Sequence, residues 1–194
     1  MILPIVAFGD GVLKKVAPEI DKDFAGLTKL VQNMFDTMYD ASGVGLAAPQ
    51  IGKSIRLFIV DAAPFAEDEK DEEAQKVKNF KEVFFNAKIV KREGEKCAFT
   101  EGCLSIPKIR EQVMREPKII IEYYNLNWEK QRKEFDGLAA RIIQHEYDHI
   151  EGKLFIDHLS PLRKKMLQGK LNDISIGNVD VDYKMKFPVL KSRK

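Results

Sequence analysis

Two of the three histidines in this 194-residue chain lie four residues apart, in the stretch QHEYDHIEG at 144–152. Residues with this spacing lie one turn apart on the same face of a helix, so His145 and His149 could bind one divalent metal ion. Glu146 follows the first histidine and could reach a water on that metal without binding the metal itself. The H-E-x-x-H spacing therefore predicts a metal site that can carry out hydrolysis.

The third protein ligand of this metal must come from outside the motif, because an open catalytic site normally has three protein ligands. The extended motif H-x-x-G-x-x-H has Gly152 in place but fails at its last histidine, since position 155 is Phe. A downstream glutamate is excluded because residues 160–194 contain none. His158 follows the expected end of the helix, where a surface or packing role is at least as good an interpretation.

The strongest remaining candidate for the third ligand is Cys103, in the stretch EGCLSIP. A glycine before it allows close approach of the backbone, and we expect the proline four residues after it to end the local strand. The metal would stabilise its thiolate. Cys97, the only other cysteine, is interpreted as a small buried free thiol.

A third stretch, GVGLAAPQIG at 43–52, follows the first predicted helix. Gly43 and Gly45 flank Val44 in what we expect to be a loop with backbone open to a ligand. Gln50 adds a side-chain amide donor with no evident structural role. Alone, this pattern is weak and most often indicates a turn.

Composition excludes several classes of protein. The 32 basic and 30 acidic residues nearly cancel to a net charge of +2, which argues against a nucleic-acid-binding protein. No apolar run is long enough for a membrane span, and the first residues lack the pattern of a secretory signal. Two cysteines are too few for a disulfide framework, so we expect a reducing cytoplasm.

Periodicity predicts a mixture of helices and strands. Residues 24–41 repeat apolar side chains at helical spacing, with Asp21 or Asp23 as cap, and a second helix is expected to start at Asp136-Gly137. Ser160 and Pro161 predict a helix over 161–168 that Gly169 stops. Runs rich in β-branched and aromatic residues predict antiparallel strands at 55–62, 82–93, 118–126 and 130–135.

Together, the three stretches resemble the signature motifs of the peptide deformylases, G-φ-G-L-A-A-x-Q, E-G-C-L-S and Q-H-E-x-D-H, in that order. The resemblance implies an α+β fold with antiparallel β-sheets around a central metal-binding helix, an N-terminal helix and a C-terminal helix. It implies one catalytic domain over 1–194, with a charged surface insertion at about 63–81. The departures are small: Gly11 stands where proline is common, and Arg141 stands where other members have an apolar residue.

The resemblance also implies how the chemistry is divided among residues. It assigns one divalent metal, Fe²⁺ with Zn²⁺ as a common substitute, and a water to the ligands Cys103, His145 and His149. Glu146 would take a proton from that water and give one to the departing amine. The side-chain amide of Gln50 and the backbone N–H of Leu104 would stabilise the oxyanion.

The implied substrate is the N-formylmethionine end of a new polypeptide, hydrolysed to release formate. The peptide would lie extended along backbone, with its methionine in an apolar pocket, against Val44, Gly45, Gly102 and Ile142. Asp148 would support the helix, through Arg115 or from a plain surface position. The implied setting is cytoplasmic, with transient ribosome contact left open and without membrane or specific nucleic-acid partners.

Two other classes share part of the pattern. A general zinc peptidase would use the same helix to cut internal peptide bonds, but Phe155 and the cysteine ligand argue against it. A non-catalytic metal-binding module would have no use for Glu146 or Gln50. Formate release from formyl-Met peptides, compared with cleavage of an unformylated peptide, separates these classes.

Overall fold

The computed structural model describes residues 1–64 and 75–188. These residues form a mixed α and β structure with three α-helices: α1 (Leu27–Asp40), α2 (Gly137–Ile150) and α3 (Pro161–Ser175). Short 3-10 turns lie at Gly11–Lys14, Ala48–Ile51 and Phe155–His158. The strands are β1 (Ile5–Val6), β2 (Gly45–Ala47), β3 (Leu57–Asp61), β4 (Lys81–Glu93), β5 (Cys97–Cys103), β6 (Ile106–Arg115), β7 (Lys118–Tyr124), β8 (Lys130–Asp136) and β9 (Met185–Lys186).

The strands form three sheets. The largest is an antiparallel sheet of five strands in the order β2-β3-β4-β7-β8, which leaves β2 at one edge. Strands β5 and β6 form a separate antiparallel hairpin. Strands β1 and β9 form a parallel pair that joins the two ends of the described chain. The α+β fold with antiparallel sheets is therefore confirmed.

Strand β3 shows how the five-stranded sheet is covered on both faces. Side chains alternate between the faces of a strand, so Phe58 lies in the apolar cluster beneath α2, while Ile59 lies in the cluster beneath α1. In the first cluster Ile143 of α2 packs with Phe58. In the second, Met34 of α1 packs with Ile59. The metal-motif helix is thus central, held against the sheet by an apolar face.

The predicted helices at 24–41 and from Gly137, and the four predicted strands, are confirmed with shifts of a few residues at their ends. Neither Asp21 nor Asp23 caps α1, because the residue before the helix is Gly26. The predicted loop at Gly43–Gly45 is partly wrong, since Gly45 begins β2.

The prediction that Gly169 stops the last helix is wrong. Helix α3 continues to Ser175, and Gly169 lies inside it with open space where a side chain would be. Leu171 and Ile174 continue the buried face that Leu167 begins, so apolar packing beyond the glycine outweighs its cost of about 1 kcal/mol. The predicted start holds: Ser160 accepts a hydrogen bond from the backbone of Arg163.

The largest difference from the sequence prediction is the β5–β6 hairpin. Pro107 was expected to end the strand that contains Cys103, but that strand ends at Cys103 itself, and Pro107 is the second residue of β6. Much of the predicted charged insertion at about 63–81 falls on residues 65–74, which lie outside the described residues. In the part of the chain that is described, no helix is both long and apolar enough to cross a membrane.

Candidate active site and metal centre

The two histidines of the motif project from α2 toward the hairpin. The rings of His145 and His149 lie 5.2 Å apart between their centroids. At the end of β5, Sγ of Cys103 lies 3.4 Å from Nε2 of His149. One ligand atom from each of the three residues lies within 4.8 Å of the other two. Two imidazoles and a thiol converging in this way match the donor set and size of a transition-metal site.

The two rings differ in protonation. Burial lowers the pKa of His145, but hydrogen bonds with Cys103 and Glu101 outweigh burial and hold that pKa well above its usual value. Nδ1 of His145 lies 2.9 Å from Oε2 of Glu101 and donates to that carboxylate, so Nε2 is the nitrogen that a metal would bind, displacing its proton. His149 is buried, and burial, followed by the neighbouring His145, lowers its pKa well below the usual value. A ring held neutral in this way keeps a lone pair available for a metal.

Glu101 is the centre of a buried charge network that the sequence did not reveal. Its two carboxylate oxygens accept hydrogen bonds from Nε and Nη2 of Arg115 at 2.7 and 2.9 Å, besides the one from His145. Burial raises its pKa, but the hydrogen bonds from Arg115 and His145 outweigh burial and hold that pKa well below the usual value. Glu101 thus stays ionised and fixes the ring of a proposed metal ligand.

Arg115 links this network to the next turn of α2, because its Nη1 donates to Oδ2 of Asp148 at 2.7 Å. Asp148 is buried, which confirms its support of the helix through Arg115 and excludes the surface alternative. His158 also lies 2.7 Å from Asp148, so it packs beside the network and is not a metal ligand. Burial raises the pKa of Asp148, but the bonds to His158 and Arg115 lower it to about 2.

Arg141, a departure from the family pattern, joins the same network. Its buried guanidinium donates to Glu101 at 3.3 Å, to the carbonyl of Val113 at 3.0 Å and to the carbonyl of Cys97 at 2.7 Å. Cys97 itself is exposed, so its interpretation as a buried thiol is wrong. It begins β5, at the end of the hairpin strand away from Cys103.

Glu146 is buried on the neighbouring side of α2, against the backbone of Gly45. A Cβ at Gly45 would overlap Oε1 of Glu146 and would lie 2.7 Å from its Cδ, so any larger residue there would displace the Glu146 side chain. Among the described residues, Oε2 of Glu146 has no hydrogen-bond partner. Burial raises the pKa of Glu146 to about 7, which is suited to a group that accepts and returns a proton near neutral pH.

Gln50 has the structural role that the sequence did not suggest. Its Oε1 accepts a hydrogen bond from the backbone N–H of Ala47 at 2.8 Å, which fixes the orientation of the amide. Nε2 is then directed toward the third ligand, 3.5 Å from Sγ of Cys103 and 3.5 Å from Oγ of Ser105. The amide N–H₂ therefore borders the candidate metal centre, with its direction set by β2.

The edge of β2 is open to a cleft of about 960 Å³. The backbone N–H of Asp61 in β3 donates to the carbonyl of Val44, so in the alternating antiparallel pattern the polar backbone groups of Gly45 face away from β3. Across the cleft lie residues of β5 and the turn after it. Of the ten residues singled out by sequence, nine line this cleft: Val44, Gly45, Gln50, Gly102, Cys103, Leu104, Ile142, His145 and Glu146. The tenth, His149, lies behind it in contact with Cys103.

Comparison with known proteins gives one consistent answer. Residues 2–165 match the family model described as polypeptide deformylase. This chain belongs to the polypeptide deformylase family. Peptide deformylases are metal-dependent enzymes that remove the N-formyl group from nascent peptides, and the chain is an enzyme of this class. The comparisons therefore favour deformylation over the alternative activity of a general zinc peptidase.

Individual deformylases resemble the chain over nearly their whole length. One from Christiangramia forsetii is 56% identical over 196 residues, with both sequences covered completely. One from Flavobacterium psychrophilum is 55% identical and covers 96% of this chain and 97% of its own. The crystal structure of a deformylase from Legionella pneumophila superimposes with a TM-score of 0.76 at 37% identity, covering 92% of this chain and 98% of its own.

Glu101 is the residue of the deformylase site that sequence reasoning missed. It is the first residue of the motif EGCLS, and the sequence pattern assigns it no role. In a regular strand, residues two apart lie on the same face, which would place Glu101 beside Cys103, although the β5–β6 register is irregular between Gly102 and Cys103. A carboxylate placed on the face of a metal ligand was the signal that could have identified it.

Proposed function

We propose that Cys103, His145 and His149 bind the catalytic metal and that Glu146 is the general base and acid of the deformylation. The observation that carries the proposal is the buried carboxylate oxygen of Glu146 without a partner among the described residues, one residue from a converging ligand set. A divalent metal held there would supply Lewis acidity, lowering the pKa of a water and polarising the formyl carbonyl. The remaining chemistry belongs to the side chains around it.

Glu146 would take a proton from the attacking water and pass it to the amine of methionine as the C–N bond breaks. A pKa near 7 lets the same carboxyl serve first as base and then as acid at neutral pH. Its contact with the backbone of Gly45 restricts where the carboxylate can lie. This placement lets it reach a water beside the ligands without replacing a ligand.

The oxyanion that forms on the formyl carbonyl would accept hydrogen bonds from Gln50 and from the backbone N–H of Leu104. Support for Gln50 comes from the bond between Ala47 and its Oε1, which presents Nε2 toward Cys103 at no cost of reorientation. Leu104 directly follows Cys103 at the rim of the cleft, so its N–H belongs to the peptide group beside the ligand.

The nascent peptide would add an extended strand between the edge of β2 and the β5 side of the cleft. The outward backbone groups of Gly45 offer one donor and one acceptor, as in other cases of strand addition. Val44 and Ile142 would flank the methionine side chain, with the backbone of Gly102 opposite.

Replacing Glu146 by Ala tests the proposed chemistry most directly. The metal ligands stay intact in this variant, while the proton transfer is lost, so formate release from a formyl-Met peptide should fall by roughly 10²- to 10⁴-fold with full metal content. KM should change little, because peptide binding is assigned to other residues. Near-normal turnover of a fully metallated variant would rule out Glu146 as the base, and metal loss equal to the rate loss would show a structural role.

A comparison of the two cysteines tests the ligand set. Cys103→Ala should lower metal content strongly, and Cys97→Ala, the matched control, should keep it, because Cys97 lies exposed at the far end of the strand. A chelator should abolish activity, and added Fe²⁺ should restore it. Equal metal content in the two variants would mean that the third ligand is misassigned.

The finer assignments follow from donor chemistry and from the substrate. One thiolate with two imidazoles suits Fe²⁺ as well as Zn²⁺, and we propose Fe²⁺ with zinc as a substitute. Because the substrate is a nascent chain, we propose that the enzyme works in the cytoplasm with transient ribosome contact. The near-balanced net charge of +2 supports action without a specific nucleic-acid partner or a membrane. The metal content of protein purified without air, measured together with activity per bound metal, tests the assignment of Fe²⁺.

A further inference from the structure

One side chain of the segment before β9 forms a hydrogen bond within the candidate active site. The hydroxyl of Tyr183 donates a hydrogen bond of 2.7 Å to the backbone carbonyl of Leu104, the residue after the cysteine ligand. Val181, Asp182 and Tyr183 all line the substrate cleft. These residues lie beyond the part of the chain, 2–165, that matches the family model.

The turn from Cys103 to Ser105 is thereby held from two directions. The backbone N–H of Phe8, just after β1, donates to the carbonyl of Ser105 at 2.9 Å, and Tyr183 holds the preceding carbonyl. Strand β9 pairs with β1 directly beside this point, with Ile5 opposite Met185, which fixes the approach of Tyr183. Leu104 also packs closely, because a Cβ at Gly43 would lie 2.9 Å from its Cδ1.

The hydroxyl of Tyr183 is a donor throughout the working pH range. Burial disfavours the phenolate and raises the pKa of Tyr183 further above its ordinary value. Tyr183 has no place in proton transfer, since its hydroxyl donates to a backbone carbonyl and not to a reacting group. Its effect must therefore pass through the backbone of Leu104.

We propose that Tyr183 is a positioning residue for deformylation, whose hydroxyl holds Leu104 so that the backbone N–H of that residue stays directed at the forming oxyanion. The inference rests on the proposed role of Leu104 as an oxyanion donor. A hydrogen bond to the oxyanion acts in the transition state and not on the bound substrate, so its misalignment affects kcat and leaves KM largely unchanged. The cleft is then completed by a residue outside the three sequence motifs.

The test is Tyr183→Phe, which removes only the hydroxyl and keeps the ring in the cleft wall. Formate release from a formyl-Met peptide should show kcat lower by about three- to tenfold, KM within about twofold and unchanged metal content. The matched control is Tyr39→Phe, which also removes a hydrogen-bonded tyrosine hydroxyl, bound to Asp61 at 2.5 Å. This control should keep the kcat of the original chain, while thermal unfolding of both variants is recorded.

Three outcomes would overturn the inference. These are an unchanged kcat in Tyr183→Phe, a metal content that falls with kcat, or a kcat loss that Tyr39→Phe shares. Measuring Glu146→Ala beside them separates this inference from the function on which it rests. If Glu146→Ala loses turnover and Tyr183→Phe does not, only the positioning role of Tyr183 is wrong. Normal turnover of fully metallated Glu146→Ala would instead contradict the proposed mechanism.

Discussion

The two walls of the cleft are stabilised by different interactions, apolar packing in one and buried charge in the other. Behind the β2 edge, strand β3 contributes Leu57, Phe58, Ile59 and Val60, all apolar and 0% exposed. Behind the β5–β6 hairpin lies a network of buried charges, Glu101, Arg115, Arg141 and Asp148. In the proposed function, the first wall presents backbone to the peptide, while the second fixes the orientation of the ligand His145.

This difference shows how each wall gains its precision. Apolar packing is non-directional, and it holds a strand in place by filling space. Charge-assisted hydrogen bonds are directional, so Glu101 can fix the orientation of the His145 ring. Mutations in the sheet wall should therefore lower the free energy of unfolding by small amounts that do not depend on pH. Mutations in the hairpin wall should lower it by larger amounts that depend strongly on pH.

The largest expected effect is the loss of Arg115. Arg115→Ala leaves Glu101 and Asp148 as buried carboxylates without their main cation, which should lower the free energy of unfolding by about 3–5 kcal/mol. Since the folded pKa of Asp148 is about 2, below that of the unfolded chain, its contribution is present above pH 4 and is lost as pH falls toward 2. The penalty of the mutation should shrink over the same range in denaturant titrations.

Arg163→Ala is the control for that experiment. Arg163 makes a comparable two-bond pair with Glu111 of the same hairpin, at 2.8 Å for both bonds, but its side chain is 45% exposed. Exposed pairs contribute about 0–1 kcal/mol, so this variant should unfold almost as the original chain does. Equal losses in both variants would contradict the contrast between buried and exposed charge.

A smaller effect of opposite sign is expected for Glu146→Gln in metal-free protein. Burial raises the pKa of Glu146 to about 7, above the unfolded value, so the ionised carboxyl disfavours folding increasingly as pH rises from 4.5 to 7. The amide removes this cost and should stabilise the protein by about 1–3 kcal/mol at pH 8, with little gain near pH 4.5. A gain independent of pH in unfolding titrations would contradict the assigned cause.

The smallest effect is expected in the apolar wall. Ile59→Val deletes one buried methylene beneath α1 and should cost about 0.5–1.5 kcal/mol, equally at pH 5 and pH 8. Metal content and kcat should remain those of the original chain. A strong pH dependence of this cost, measured in the same titrations, would show that the two walls are coupled and not independent.

The same contrast explains how much the sequence predicted. The strands of the sheet were found because Leu57–Asp61 and Lys118–Tyr124 are rich in β-branched or aromatic residues, and α1 and α2 carry helical periodicity. The motif also predicted the convergence of Cys103 with His145 and His149, through the family resemblance. The pattern of apolar residues and the local spacing of the motifs are enough to predict this part of the fold.

Strand β5 of the hairpin was missed because its one buried residue is charged. In β5 only Glu101 is buried, so the strand shows no apolar alternation, and Glu101 and Arg115 look like surface residues in a sequence. Their burial depends on partners 14 to 44 positions away, including His145, which local patterns do not encode. The contact of Tyr183 with Leu104 was invisible for the same reason, since 79 positions separate the two residues.

The parallel pairing of β1 with β9 has a consequence for the order of folding. Ile5 and Met185 meet across almost the whole described chain, and closing so long a loop is entropically costly before other contacts have formed. Contacts of large sequence separation slow folding and are favoured only once intervening structure brings their partners together. We therefore expect the sheet and α2 to assemble first, and the hydroxyl of Tyr183 to reach Leu104 late in folding.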